Sequence, residues 1–129
     1  MPRRNFSTAA PWEPIVGYSR AVRVDNLIFV TGTTALDGAG NVVARGDAAG
    51  QTRRILEIID GVLRRAGATM RDVVRTRIFV TDIARWEEVG RVHGEVFRDI
   101  RPATTMVEVS RLIVPEMRVE IEADAIVQE

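Results

Sequence analysis

The stretch Met117-Arg118-Val119-Glu120-Ile121-Glu122-Ala123-Asp124-Ala125-Ile126-Val127 decides the fold. Val119, Ile121, Ala123 and Ala125 occupy alternate positions, with Glu120, Glu122 and Asp124 between them. Successive side chains of a strand point to opposite faces, so one face of this segment is apolar and the other carries carboxylates. Such a strand belongs to a sheet packed on one side only. Stacked like charges repel, so the carboxylate face needs cations, solvent, a metal or another subunit beside it. Arg75 and Arg77 alternate in the same way along Val73 to Thr81 and are the expected partners. No convincing set of further metal ligands accompanies the carboxylates, and no metal is expected.

The remaining segments supply the other strands and a helical layer. Val22 and Val24, then Leu27-Ile28-Phe29-Val30 after Asp25-Asn26, read as two strands of a hairpin ending at Thr31-Gly32-Thr33. Ile55, Leu56, Ile58, Ile59, Val62 and Leu63 recur at three- and four-residue steps, which predicts a helix with one apolar stripe. Asp60 and Arg64 are spaced to pair on its outer side, and Gly67 is placed to end it. Asp82 can cap a second helix that carries Trp86, Val89, Val92, Val96, Phe97 and Ile100, with Pro102 as its stop. Thr105 to Val109 and Met117 to Val127 are the last strands, joined by a loop around Pro115. Residues 1–16, with Pro2, Pro11 and Pro14, read as an irregular arm. The order is β-β-α-β-α-β-β, an α+β two-layer sandwich of a mixed sheet with both helices on one face. A domain with one sheet face uncovered is expected to hide it by oligomerising.

Composition narrows the function. The 129 residues suit a single domain spanning 1–129. With no Cys, thiolate metal sites, disulfides and cysteine nucleophiles are excluded, and one histidine, His93, cannot build a multi-histidine metal site within one chain. Eighteen basic residues balance 18 acidic ones, so neither nucleic acid nor an anionic membrane is an expected partner. No apolar run approaches the roughly 18–20 residues a membrane span needs. The N-terminus lacks the apolar core of a secretory signal, which makes the cytoplasm the expected location.

Several segments together resemble the RidA/YjgF family of reactive-intermediate deaminases. They are Val16-Gly17-Tyr18-Ser19-Arg20-Ala21, Phe29-Val30-Thr31-Gly32, Thr76-Arg77-Ile78-Phe79-Val80-Thr81-Asp82, Arg101-Pro102-Ala103-Thr104-Thr105-Met106-Val107-Glu108-Val109 and Val119-Glu120-Ile121-Glu122-Ala123. They occur in the family's order and cover nearly the whole chain. The resemblance implies a chorismate-mutase-like fold assembled as a homotrimer, with ligand clefts between neighbouring subunits. It also implies a cofactor-free hydrolysis of small enamines or imines to carbonyl compounds and ammonia.

Carried over residue by residue, the resemblance makes Glu120 the carboxylate that handles water. Tyr18, Thr31, Gly32, Thr104 and the backbone that follows at Thr105 and Met106 would contact the substrate. It also exposes a departure. Where deaminases of the family have an arginine that clamps the substrate carboxylate, Pro102-Ala103 is followed here by Thr104. A guanidinium offers two charge-assisted hydrogen bonds and a compensating charge, a threonine hydroxyl one neutral bond. An asparagine of the family aligns with Gly90. His93 falls near the cleft-facing side of its helix and is a candidate acid or hydrogen-bond donor there. Arg20, Arg101, Arg111 and Arg118 are candidates to replace the lost cation. The expected function is deaminase-type hydrolysis of a small, weakly anionic substrate, the alternative a trimer that binds a metabolite without catalysis. Ribonuclease or translation inhibitor, names sometimes given to the family, would call for a basic patch or a histidine pair that the chain lacks.

Overall fold

The computed structural model describes residues 2–128. Along them run β1 (Arg4–Phe6), α1 (Trp12–Val16), β2 (Ala21–Val24), β3 (Leu27–Thr33), α2 (Ala48–Arg65), β4 (Val73–Val80), α3 (Trp86–Phe97), β5 (Ala103–Glu108) and β6 (Val119–Ile126). The strands form one sheet in the order β1-β2-β3-β6-β4-β5. Only β4 and β5 pair in parallel, because α3 carries the chain back between them. The other neighbours are antiparallel. This is the α+β mixed sheet that the alternation in β6 predicts.

The core lies between the sheet and the pair α2 and α3. Ile55, Ile59 and Leu63 from the predicted stripe of α2 are fully buried against Ile28, Ile78, Val119 and Ile121 of the central strands. Burial of one such side chain contributes roughly 1.5–3 kcal/mol, so this seam holds the two layers together. Asp47 begins α2 by accepting a hydrogen bond from the Gly50 amide at 2.9 Å. The helix ends at Arg65, and Gly67 takes the left-handed conformation at φ 88° while the Ala68 amide reaches back to the Leu63 carbonyl at 2.8 Å. On its outer side Arg64 and Asp60 pair at 3.1 Å, as their spacing predicts.

Two parts differ from the expectation. Residues 4–6 are a strand rather than an irregular arm, and residues 12–16 are a short helix. The reason is tertiary: β1 is an edge strand whose Phe6 lies opposite Ala21 and is buried beneath the guanidiniums of Arg4 and Arg65. Three residues are too few to show a period. Asp82, expected to cap the second helix, instead caps a single 3₁₀ turn over Ile83–Arg85, and α3 begins at Trp86.

Neither α2 nor α3 covers the outer face of the sheet. Phe29 and Val107 are 50% and 43% exposed there, although both lie inside strands.

Candidate functional site

Three carboxylates share the outer face of β6, and their cross-strand neighbours treat them differently. Glu122 lies opposite Arg77 of β4. The Arg77 guanidinium reaches Glu122 at 3.4 Å and Asp124 at 3.3 Å. Arg75, the other expected partner, lies opposite Asp124 but makes no ion pair among the described residues. Glu120 lies opposite Phe79, which in turn lies opposite Val107. Its carboxylate has neither a hydrogen bond nor an ion pair among the described residues. Burial and the charge of Glu122 push its pKa above the ordinary 4.5, and Arg20 opposes them in part.

What holds Glu120 in place is a glycine. The β3–β6 register shifts between Val30 and Thr33, so Thr31 and Gly32 form a bulge beside Glu120. A Cβ at Gly32 would stand 2.0 Å from Glu120 Oε2. The carboxylate therefore lies directly over the backbone of the bulge, in space only glycine leaves open.

Arg20 braces the bulge from beneath. Only 4% exposed, its guanidinium donates to the Gly32 carbonyl at 2.7 Å and to Thr33 Oγ1 at 3.3 Å. It also donates to Thr8 Oγ1 at 3.2 Å and pairs with Glu13 at 3.4 Å. Glu13, 5% exposed on α1, also accepts from the Thr8 hydroxyl at 2.7 Å. These partners take four of the five N–H groups of Arg20, which acts as a strut and also lines the space beside Glu120, its guanidinium 5.6 Å from the centre of the Tyr18 ring. Of the other arginine candidates, Arg118 donates to the Pro115 carbonyl at 2.8 Å. Arg101 and Arg111 are exposed, with no side-chain bond among the described residues.

A cleft of about 280 Å³ opens above the bulge. Its polar lining includes Glu120, Thr31, Gly32 and Tyr18, and its rim includes Trp12, Val16 and Ile113. Val16 and Ile113 are 70% and 60% exposed, which gives the cleft an apolar mouth over a polar floor. These rim residues, together with Glu13, escaped the sequence reading. Trp12, Glu13 and Val16 sit in the segment read as an arm, and Ile113 in a loop with no period.

The other candidates lie elsewhere. Thr104 of β5 is the register partner of Thr76 on β4, and their hydroxyl oxygens are 2.8 Å apart. Thr76 is fully buried and lies 2.9 Å from His93 Nε2. His93 packs on Phe97 with ring centroids 4.6 Å apart, and burial lowers its pKa below the ordinary 6.5. Thr105 is exposed opposite Arg77, and Met106 packs against the core. At Gly90 a Cβ would meet only the Trp86 ring, at 3.6 Å. Within one chain, then, Tyr18, Thr31, Gly32 and Glu120 come together, whereas Thr104 and His93 belong to a separate group at the β5 edge. No cluster of three or more metal-ligating side chains occurs among the described residues, and no helix is long and apolar enough to cross a membrane.

Comparison with known proteins agrees along nearly the whole chain. The family profile described as Endoribonuclease L-PSP matches residues 7–127. A RutC family protein of Pyrococcus abyssi is 38% identical over 120 residues, which cover 93% of each chain. The protein named 3-aminoacrylate deaminase RutC in Acinetobacter baylyi is 36% identical over 121 residues, 94% of this chain and 95% of that one. The crystal structure of a YjgF/YER057c/UK114 family member from Mycobacterium tuberculosis superposes with a TM-score of 0.89. It is 52% identical and covers 98% of this chain and 100% of its own.

Proposed function

The chain belongs to the RidA/YjgF/RutC family, and from that premise we propose that it hydrolyses a small imine or enamine to a carbonyl compound and ammonia. The observation that carries this reading is the unpaired, half-buried Glu120 carboxylate lying on Gly32 within the cleft. The relative in A. baylyi, named for 3-aminoacrylate deamination, supports the reaction class.

The chemistry needs one water and a group that moves protons. An enamine first takes a proton on carbon to become the imine. Glu120 then accepts a proton from water as its oxygen bonds to the imine carbon, and the C=N bond becomes a C–N bond. Glu120 returns that proton to the nitrogen, and the carbinolamine collapses: Glu120 takes the hydroxyl proton and passes it to the nitrogen, the C–N bond breaks, C=O forms and ammonia leaves. A carboxylate whose pKa is raised by burial and by Glu122 is suited to both halves of this exchange. Thr31 and Tyr18, which line the cleft, would hydrogen-bond the substrate. All 18 basic residues are arginine, so no lysine is available for a covalent imine with the protein. Water is the nucleophile.

By resemblance to the family Thr104 would face the substrate too, and in one chain it belongs to a group separate from Glu120. A homotrimer in which Thr104 of one copy faces the Glu120 cleft of the next would join the two groups. It would also cover Phe29 and Val107. With Thr104 where deaminases of the family have arginine, the preferred substrate is one without a carboxylate on the reacting carbon.

The test generates imines without a carboxylate in situ with an amine oxidase, and 2-imino acids with an amino-acid oxidase, and uses semicarbazide as a competing trap. Wild type should divert imine from the trap, and Glu120→Ala should not. Thr104→Arg should gain activity on 2-imino acids. If neither wild type nor Thr104→Arg acts on any imine, catalysis is refuted and a non-catalytic metabolite-binding trimer takes its place. Light scattering that shows a stable monomer at micromolar concentration would remove the shared cleft.

A further inference from the structure

The buried hydroxyl of Thr76 stands between two partners, His93 Nε2 at 2.9 Å and Thr104 Oγ1 at 2.8 Å. The series continues outward, because Thr104 Oγ1 is 3.2 Å from the Pro102 carbonyl. It therefore runs from a half-buried imidazole to an exposed hydroxyl at the sheet edge.

Each hydroxyl has one proton, which restricts how the series can be filled. If Nε2 accepts, Thr76 gives its proton to His93 and Thr104 gives its own to Thr76. The contact with Pro102 is then left without a proton. If Nε2–H donates, Thr76 accepts it and donates to Thr104, and Thr104 donates to the Pro102 carbonyl. All three contacts then contain a proton.

We propose that the second arrangement holds, and that His93 and Thr76 are positioning residues that present the Thr104 hydroxyl as an oriented donor for an uncharged acceptor oxygen of a ligand. The ligand's carbonyl would take the proton now directed at Pro102. This rests on the reading above that Thr104 faces the substrate, and it deepens that reading by naming the substrate class. Chains of hydrogen bonds polarise one another, so a threonine backed in this way is a stronger donor than an isolated one. It supplies no positive charge, however, and a carboxylate gains far less from it than from a guanidinium. An ester, amide or other neutral carbonyl group fits. His93 reaches the ligand only through Thr76. Around its ring lie Thr76 of β4 and Phe97 of its own helix, and no charged side chain hydrogen-bonds to it among the described residues.

One feature of the sequence makes the test direct: His93 is the only histidine, so every histidine resonance is its own. Long-range proton–nitrogen spectra of the neutral ring in the full-length protein should show the Nε2–H tautomer. Thr76→Val keeps the shape and removes the hydroxyl; it should lower the His93 titration midpoint by roughly half a unit to one unit, the worth of one hydrogen bond. Thr76→Ser should restore it. Thr104→Val does not touch the ring and should still move the midpoint the same way by less. An Nδ1–H tautomer in the wild type, or a midpoint indifferent to Thr104→Val, overturns the relay.

The ligand class has its own arm. Methyl pyruvate and pyruvate are titrated into the protein while the His93 signals are followed. Methyl pyruvate should shift them at concentrations several-fold lower, and Thr104→Val should erase the difference. Tighter binding of pyruvate overturns the neutral-acceptor assignment. Silence from both, with the tautomer and midpoints as expected, keeps the relay and overturns the placing of Thr104 at the substrate.

Discussion

Glu120 and Glu122 stand two residues apart on one face of one strand, and their surroundings make them different chemical groups. Across from Glu122 is Arg77, which pairs with it and with Asp124. Across from Glu120 is Phe79, and the carboxylate rests on a glycine bulge with no ion pair among the described residues. One arrangement neutralises a charge. The other leaves a charge half-buried, with its pKa raised by burial and by Glu122. A carboxylate left in that state is costly, and perturbed groups of this kind cluster at functional sites, which is why the two positions teach different lessons.

The comparison breaks most directly when each carboxylate is removed in turn. Glu120→Ala should reduce imine hydrolysis by about 10²–10⁴-fold, the usual contribution of a positioned acid or base. Glu122→Ala should change it only a few-fold. Equal losses would mean that the face acts as a uniform negative surface, and the special role of Glu120 would be lost. The strut below comes next. Glu13→Ala leaves the buried Arg20 without its counter-charge, which costs about 3–5 kcal/mol and should lower the melting temperature by roughly 10–20 °C. An unchanged melting curve would show that Thr8, Thr33 and the Gly32 carbonyl suffice to hold Arg20.

Gly32→Ala tests the bulge itself. The new Cβ would collide with Glu120 Oε2, so the carboxylate must turn away. Activity should fall by roughly 10–100-fold, a smaller loss than removing the carboxylate. Combined with Glu120→Ala, it should cost nothing further, because both changes act on one group. Additive losses would separate the glycine from the glutamate.

The alternation Val119, Ile121, Ala123, Ala125 displays half of this architecture by itself. It gives the sheet and its open face, and the stripe from Ile55 to Leu63 gives the layer beneath. That Glu120 and Glu122 differ is invisible there, since the difference comes from the register that sets Phe79 and Arg77 against them. Segment matching to the family singled out Glu120, Thr31, Gly32 and Tyr18, which the fold does gather. The same matching placed His93 near the cleft, but nothing in a sequence shows that Thr76 stands between it and Thr104. The arm from Thr8 to Val16 was opaque for another reason. Its order depends on burying Glu13 against Arg20, a contact with no local periodicity.

Smaller effects sharpen the contrast. Arg77 is 43% exposed, so its pairs with Glu122 and Asp124 are screened and together contribute no more than about 1 kcal/mol. Arg77→Met should therefore cost a few degrees at most, and high salt should shrink the difference between variant and wild type. A loss as large as that of Glu13→Ala would show that the Arg77 cluster is buried in the assembled protein.

Glu120→Gln probes the other side of the comparison with a sign that can be worked out. The folded protein holds the Glu120 proton more tightly than the unfolded chain does, because its pKa lies above the ordinary 4.5. Protonation therefore favours the folded state, and ionisation above the folded pKa weighs against it. At pH 7 the glutamine variant escapes that cost and should melt slightly higher than wild type. As pH falls through the raised pKa toward 4.5, the wild type gains its proton and the gap should close. Glu122→Gln should show no such gain at pH 7, because Arg77 already compensates the charge it removes. A Glu120→Gln variant less stable than wild type at pH 7 would mean that the ionised carboxylate has found a partner in the assembly. The water-handling role would then pass to another group.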